Sequence, residues 1–389
     1  LYILPKMANR HGLIVGATGT GKTVSLKVLA ESFSDMGVPV IMADVKGDLA
    51  GMVKAGGDNT TVGEKVAEFG LFEEGFTYKA FPTCFWDLFA KKGLPLRTTI
   101  TEFGPLLLAQ LLDLNQVQTD ILNIVFKIAD DEGLLLIDIK DLKSMLNYVS
   151  ENASQYKAEY GNMSSQSIAA IMRAVVALSD RGAELFFGEP ALNIRDWMRT
   201  TLDSRAYINI IDASSLIQDT LAYSTFMLWL LSELFETMPE VGDLDKPKMV
   251  FFFDEAHLLF KNTPKAMMQK IEQVMKLIRS KGIGIYFISQ SPSDIPAEIL
   301  AQLGNKIQHA LRAYTPAEQK AVKAAAQSYR ENPSLDTQKA ITELGIGEAL
   351  VSFIQEDGSP DIVERAYILP PQSYIGAIGE EERKSVIVG

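Results

Sequence analysis

Unbroken apolar runs, each closing on polar or charged residues, recur along this chain. His11-Gly12-Leu13-Ile14-Val15, Met249-Val250-Phe251-Phe252-Phe253 and the runs at 37–43 and 282–288 are of this kind, 206–211 is interrupted only by Asn209, and the more polar run at 306–312 reads as a further strand. A strand with one wet face alternates, whereas a strand covered on both faces does not, so these runs predict a mostly parallel sheet flanked by helices. Helical spacing lies between them, first in Val24-Ser25-Leu26-Lys27-Val28-Leu29-Ala30 and later at 221–235. The fold class is α/β. Residues 349–354 and 363–369 read as a closing hairpin ended by Pro370-Pro371, and the charged tail after Ile378 reads as loose chain.

One long stretch breaks the pattern. From about 94 to 200 the apolar positions follow a 3.6-residue period, as at Ile121, Ile124, Val125 and Ile128, which predicts a helical insertion. The chain then divides into a first core part at 1–93, a helical subdomain at 94–200 and a second core part at 201–389 with the hairpin and tail. Arg173 and Arg181 on the insertion read either as surface charges or as groups reaching a neighbouring subunit's phosphates. Residues 51–80 are polar and glycine-spotted, a loop with a variable helix-strand segment. Phe81-Pro82-Thr83-Cys84-Phe85-Trp86-Asp87-Leu88-Phe89 is rich in aromatics with no basic residue interleaved, a pattern of packing rather than of base stacking, and Cys84 within it reads as a small buried hydrophobe.

The chemistry is concentrated where the runs end. After the first, Gly16-Ala17-Thr18-Gly19-Thr20-Gly21-Lys22-Thr23 fits G-x-x-x-x-G-K-[ST] at every fixed position, with a strand before it and a helix after it. Glycines let the backbone N–H groups wrap a phosphate chain, Lys22 reaches the β/γ-phosphates, and the Thr23 hydroxyl ligates Mg²⁺. ATP and Mg²⁺ are the ligands this predicts. The run at 249–253 delivers Asp254 toward Mg²⁺ and Glu255 to polarise the attacking water, and the adjacent Glu favours hydrolysis over transfer. Gln290, beyond the run at 282–288, reads as a γ-phosphate sensor or as a strand-end amide bonded to its own loop. Arg312, at the end of the run at 306–312, reads as a finger entering the next subunit's site or as a satisfied surface arginine. Asp44 and Asp48, in Asp44-Val45-Lys46-Gly47-Asp48, either orient water or Mg²⁺ or merely form a polar turn.

Composition narrows the partners. With 37 basic residues against 49 acidic ones the net charge is −12, which argues against a general nucleic-acid-coated surface and leaves room for a local basic channel. Lys261, Lys265, Lys270, Lys276 and Arg279 are candidates for such a channel or form a solvated helix face. A single cysteine makes no internal disulfide and points to a reducing, cytoplasmic setting. His11, His257 and His309 lack metal-ligand spacing, so no zinc is expected. No run approaches a membrane span and no signal-peptide pattern is present.

Asn9-Arg10-His11, the phosphate loop, Asp44-Val45-Lys46-Gly47-Asp48, Phe252-Phe253-Asp254-Glu255-Ala256-His257 and Ser289-Gln290 together resemble the ATPase core of the HerA/FtsK superfamily. More narrowly, Phe186-Phe187-Gly188-Glu189-Pro190-Ala191-Leu192, Ile278-Arg279-Ser280-Lys281-Gly282 and Gln308-His309-Ala310-Leu311-Arg312 resemble the bacterial HerA-like ATPases typified by YjgR. The similarity spans nearly the whole chain. It implies a RecA-like core, a hexameric ring and ATP-driven movement of DNA or another polymer through the pore. It also implies a second arginine, Arg10, near the nucleotide. Archaeal HerA proteins carry a β-barrel before the core and only about ten residues stand there in this sequence, so the barrel's ring contacts and nuclease partnership are not among what is implied. The alternative is an ATP-dependent assembly or switch protein that acts on a protein partner without nucleic acid.

Overall fold

The computed structural model describes residues 1–261 and 263–388. Two compact units are present, one made of 1–85, 194–220 and 231–389, the other of 86–193 and 221–230. The chain is thus divided at different points from those expected above. Gly389, the end of the expected tail, lies outside the described residues.

The first unit is built on the apolar runs. They form β1 (Gly12–Val15), β2 (Val40–Asp44), β3 (Thr83–Asp87), β5 (Ile208–Asp212), β6 (Met249–Phe253), β7 (Ile283–Ser289) and β8 (Asn305–Gln308), and the C-terminal hairpin supplies β9 (Glu348–Ser352) and β10 (Glu364–Tyr367). The two-residue β4 (Leu94–Pro95) belongs to the second unit and pairs with Trp86 and Asp87 at the end of β3. The sheet is ten-stranded in the order β10-β9-β8-β1-β7-β6-β2-β5-β3-β4. The pairs from β8 through β1, β7, β6 and β2 to β5 are parallel, and β8–β9 and β9–β10 are antiparallel. Every residue of β1, β2, β5, β6 and β7 is buried, as unbroken apolar strands between helical layers require. Phe33 of the helix Lys22–Asp35 packs on Phe252 and Tyr286, with ring centroids 6.3 and 6.2 Å away. Cys84 is half-buried and unbridged, and burial pushes its thiol up to about 11, well away from the thiolate a nucleophile needs.

Two features depart from the sequence-based expectation. The tail is not loose, since Glu380–Val388 is a helix. Its Arg383 lies 4.5 Å over the Phe85 ring and 3.5 Å from Asp212, and Glu382 pairs with Lys54 at 2.9 Å. These partners lie far upstream in the chain, which is why charge alone read as loose chain. The run at 306–312 is also shorter as a strand. β8 stops at Gln308 because the chain leaves β1 beyond Ala310, where the Leu311 N–H turns to the Ile341 carbonyl at 3.2 Å.

The second unit is helical, with Gln116–Asp131, Ile139–Glu151 and Ser165–Asp180 as its longest helices. Asn115 and Asp138 open the first two with reciprocal capping boxes. Phe103, Phe186, Phe187, Phe226 and Trp229 meet in its core, the Phe186 and Trp229 rings at 89° and 5.3 Å.

Candidate functional site

β1 ends at Val15 and the helix Lys22–Asp35 starts within the glycine loop, so the loop's N–H groups and the helix N-terminus share one concavity. The loop is pinned from β7 on one side and from the chain just past β8 on the other: Gly16 N–H donates to the Ser289 carbonyl at 3.3 Å and Ala17 N–H to the Ala310 carbonyl at 2.8 Å. Glycine is obligatory at Gly16, where a Cβ would stand 2.5 Å from that of His309, and Gly21 takes φ 108°, which side chains resist. Lys22 Nζ donates to the carbonyls of Gly16 and Ala17 at 2.6 and 3.0 Å, so the ammonium rests over its own loop. Burial lowers its pKa, opposed chiefly by the charge of Glu255. Thr23, half-buried, occupies the second position of the helix, and Thr20 Oγ1 closes the loop on the Ala17 carbonyl at 2.7 Å.

β6 places Asp254 and Glu255 just past its carboxyl end, and both are only 6% exposed. Asp254 accepts the Glu255 N–H at 2.9 Å; burial and then the neighbouring Glu255 charge push its carboxyl up to about 7. Glu255 has φ 50°, a left-handed backbone that a residue of this type adopts only when its surroundings hold it there. One of its oxygens pairs with Lys46 Nζ and the other lies 3.3 Å from His257 Nδ1. Lys46 reaches it because β2 runs beside β6. A cavity of about 790 Å³ opens beside the loop, and Ala17, Thr18, His257, Lys261, Gln290 and Arg312 line it.

Lys22 and Thr23, Asp254 and Glu255, Gln290 and Arg312 therefore come together on the carboxyl edge of the sheet. Arg312 borders the cavity of its own chain and sits in a loop past β8. Arg10 does not join them. It closes a short helical turn at Pro5–Arg10, before β1, at the opposite end of that strand from the loop, where its charge acts on Arg279. Asp44 is occupied by its own turn, accepting the N–H groups of Lys46, Gly47 and Leu49 at 3.1, 2.7 and 3.2 Å.

Sequence reading gave no role of their own to two residues here. His309 is buried under the loop with Nε2 2.7 Å from Ser25 Oγ, and Lys46 bonds Glu255. A cation just past the tip of the strand next to the acid pair is the signal that would have found Lys46. Among the described residues no cluster of three or more His, Cys, Asp or Glu is arranged for a metal, and no helix is long and apolar enough to cross a membrane.

A family model described as helicase HerA-like C-terminal matches residues 1–388. The chain belongs to that family. It is 32% identical over 149 residues to a probable helicase of Methanocaldococcus jannaschii, covering 37% of this chain and 28% of the relative. It is 21% identical over 355 residues to the DNA double-strand break repair helicase HerA of Sulfolobus acidocaldarius, covering 88% and 62%. The chain thus spans only part of the length of these relatives. Among solved structures, the plasmid coupling protein TrwB with a non-hydrolysable ATP analogue superposes with a TM-score of 0.63 at 14% identity, covering 98% of this chain and 91% of that one. TrwB with ADP and Mg²⁺ gives 0.62, and VirB4 of Thermoanaerobacter pseudethanolicus 0.55. The fold of this HerA-like chain is that of the P-loop ATPases.

Proposed function

We propose that this chain is the motor domain of a hexameric ring that hydrolyses Mg·ATP and uses the energy to translocate or remodel DNA. The observation that carries the reading is the convergence of Lys22, Asp254 and Glu255 on one electrostatic environment above a complete phosphate loop. Lys22 exchanges its bonds to the Gly16 and Ala17 carbonyls for phosphate oxygens. The N–H groups of 16–23 cradle the same chain, and Gln290 contacts its terminal group. Glu255 accepts the proton of the attacking water. The Thr23 hydroxyl and the Asp254 carboxylate suit Mg²⁺, which takes few protein oxygens besides phosphate and water and supplies charge neutralisation when bound. Arg312 serves its own cleft or a neighbour's; Arg10, at the far end of β1, serves only another subunit.

DNA as the polymer is supported by the name of the HerA relative, a DNA double-strand break repair helicase, and by cations on one helix. Lys265 and Lys276 are exposed on Lys265–Leu277 while Met267, Ile271, Val274 and Met275 bury its other face. Phosphate release measured with and without single- and double-stranded DNA, beside a Glu255→Gln control, tests the reading. DNA stimulation that falls with salt and vanishes in the control supports it. Turnover indifferent to DNA at low and moderate salt overturns the DNA part and favours a switch acting on a protein partner, the reading that the net charge of −12 suits better.

A further inference from the structure

The strand order divides the surroundings of the phosphate loop into two sides. β7 and β6 lie on one side of β1 and carry Gln290, Asp254 and Glu255 past their carboxyl ends, whereas β8 lies on the other. A nucleoside triphosphate laid on the loop with its reacting end toward Glu255 turns its sugar and base toward β8. A second cavity stands there, about 300 Å³, lined by Ala17, Thr18 and Thr20 of the loop and by Leu311, Tyr314 and Thr342 beyond β8. That is the size and lining of a small-ligand pocket.

Tyr314 is 84% exposed, yet its backbone is fixed. The N–H groups of Tyr314 and Thr315 donate to the Glu318 carboxylate at 2.9 and 2.8 Å, and the Glu318 N–H donates back to Thr315 Oγ1 at 3.2 Å, which caps the helix Pro316–Gln327. Upstream, Leu311 is anchored in an apolar cluster with Val322, Ile341 and Leu350. An open aromatic face on a rigid mount, beside the loop, is the arrangement a heterocyclic base uses, because every base offers a π-face to stack. Arg312 borders both cavities, at the junction where base and phosphates meet.

We infer that Tyr314 is the platform on which the base of the bound nucleotide stacks, with Leu311 and Thr342 walling the pocket; the inference rests on Gly16–Thr23 holding the triphosphate. Calorimetric titration of the full chain with ADP and with inorganic tripolyphosphate separates the two. Tyr314→Ala weakens ADP binding about fivefold or more and leaves tripolyphosphate binding unchanged, while Tyr314→Phe, which keeps the ring, binds ADP like the parent. Unchanged ADP binding in Tyr314→Ala, parallel loss of both ligands, or a Phe variant as weak as the Ala variant overturns the platform. A Lys22→Ala variant that binds both ligands like the parent overturns the phosphate-loop reading itself, and the inference with it.

Discussion

β2 and β6 run side by side, and each ends in a buried aspartate followed by a polar turn. Asp44, after β2, gives its oxygens to three backbone N–H groups, whereas one hydrogen bond to Asp254, from the Glu255 N–H, is seen among the described residues. Burial raises both carboxyls, to about 6 for Asp44 and about 7 for Asp254, but the turn's N–H groups pull Asp44 down while the Glu255 charge pushes Asp254 further up. An acid at a strand tip is available for chemistry only where its own turn leaves lone pairs unspent. Asp44 builds the turn that presents Lys46, and Asp254 faces the loop.

The strongest way to break this comparison is kinetic. Glu255→Gln, which keeps the shape and removes the base, is expected to lower kcat for ATP hydrolysis by about 10²–10⁴ while ATP still binds. Asp44→Asn is expected to leave kcat within about threefold when assayed well below its unfolding transition. Equal losses in the two variants, read by steady-state phosphate release, would show that Asp44 belongs to the reacting centre after all.

The second effect is on stability. Asp44→Ala leaves three N–H groups without their acceptor, that of Leu49 buried and those of Lys46 and Gly47 partly so, and urea unfolding is expected to show a loss of about 2–4 kcal/mol. Asp254→Asn, which keeps an oxygen to accept the Glu255 N–H and discharges a buried carboxyl, is expected to lose under about 1 kcal/mol or to gain. A reversed order would overturn the assignment of the two acids.

Much of this was legible in advance, and for a local reason. The phosphate loop, the run ending in Asp254-Glu255 and the run ending in Gln290 each carry their geometry within a few residues. What depends on which strand lies beside which was not legible. Lys46 reaches Glu255 only because β2 neighbours β6, and Tyr314 borders the loop only because the chain beyond β8 does. The resemblance implied Arg10 near the nucleotide, yet in this chain β1 separates it from the loop and carries it to the opposite edge of the sheet. The tail helix needs Phe85, Asp212 and Lys54 to dock, none of which its own residues announce.

Buried histidines extend the contrast between a group spent on the fold and one left near the site. His11 is fully spent: Nδ1 accepts the Ile285 N–H at 2.9 Å and Nε2 lies 3.1 Å from the Met275 carbonyl, so the ring is neutral. Burial holds its pKa down to about 4 against an ordinary 6.5. Between those values the unfolded chain binds the proton and the folded chain does not, so this contribution to stability is whole above about pH 6.5 and is lost as the pH falls toward 4. Comparing the parent with His11→Gln isolates it. The stability difference between the two is expected to shrink by about 2 kcal/mol from pH 7.5 to pH 5, and a difference independent of pH would mean that the ring is not held neutral.

The smallest expected effect tests how Glu255 is aimed. Lys46 is half-exposed, so its loss should not disturb the fold, but its ammonium bonds one oxygen of a carboxylate whose backbone is held left-handed. Lys46→Ala removes that fixed donor and leaves the His257 ring as the remaining side chain beside the carboxylate, so the base swings within the cleft. Misplacement of this kind acts on the chemical step and not on nucleotide affinity. We expect kcat to fall about tenfold with KM for ATP nearly unchanged, and Lys46→Arg to recover part of the loss because it restores a cation at that oxygen. A rise in KM with kcat intact would instead make Lys46 a phosphate contact, and the turn built by Asp44 would then present a binding group rather than a positioning one.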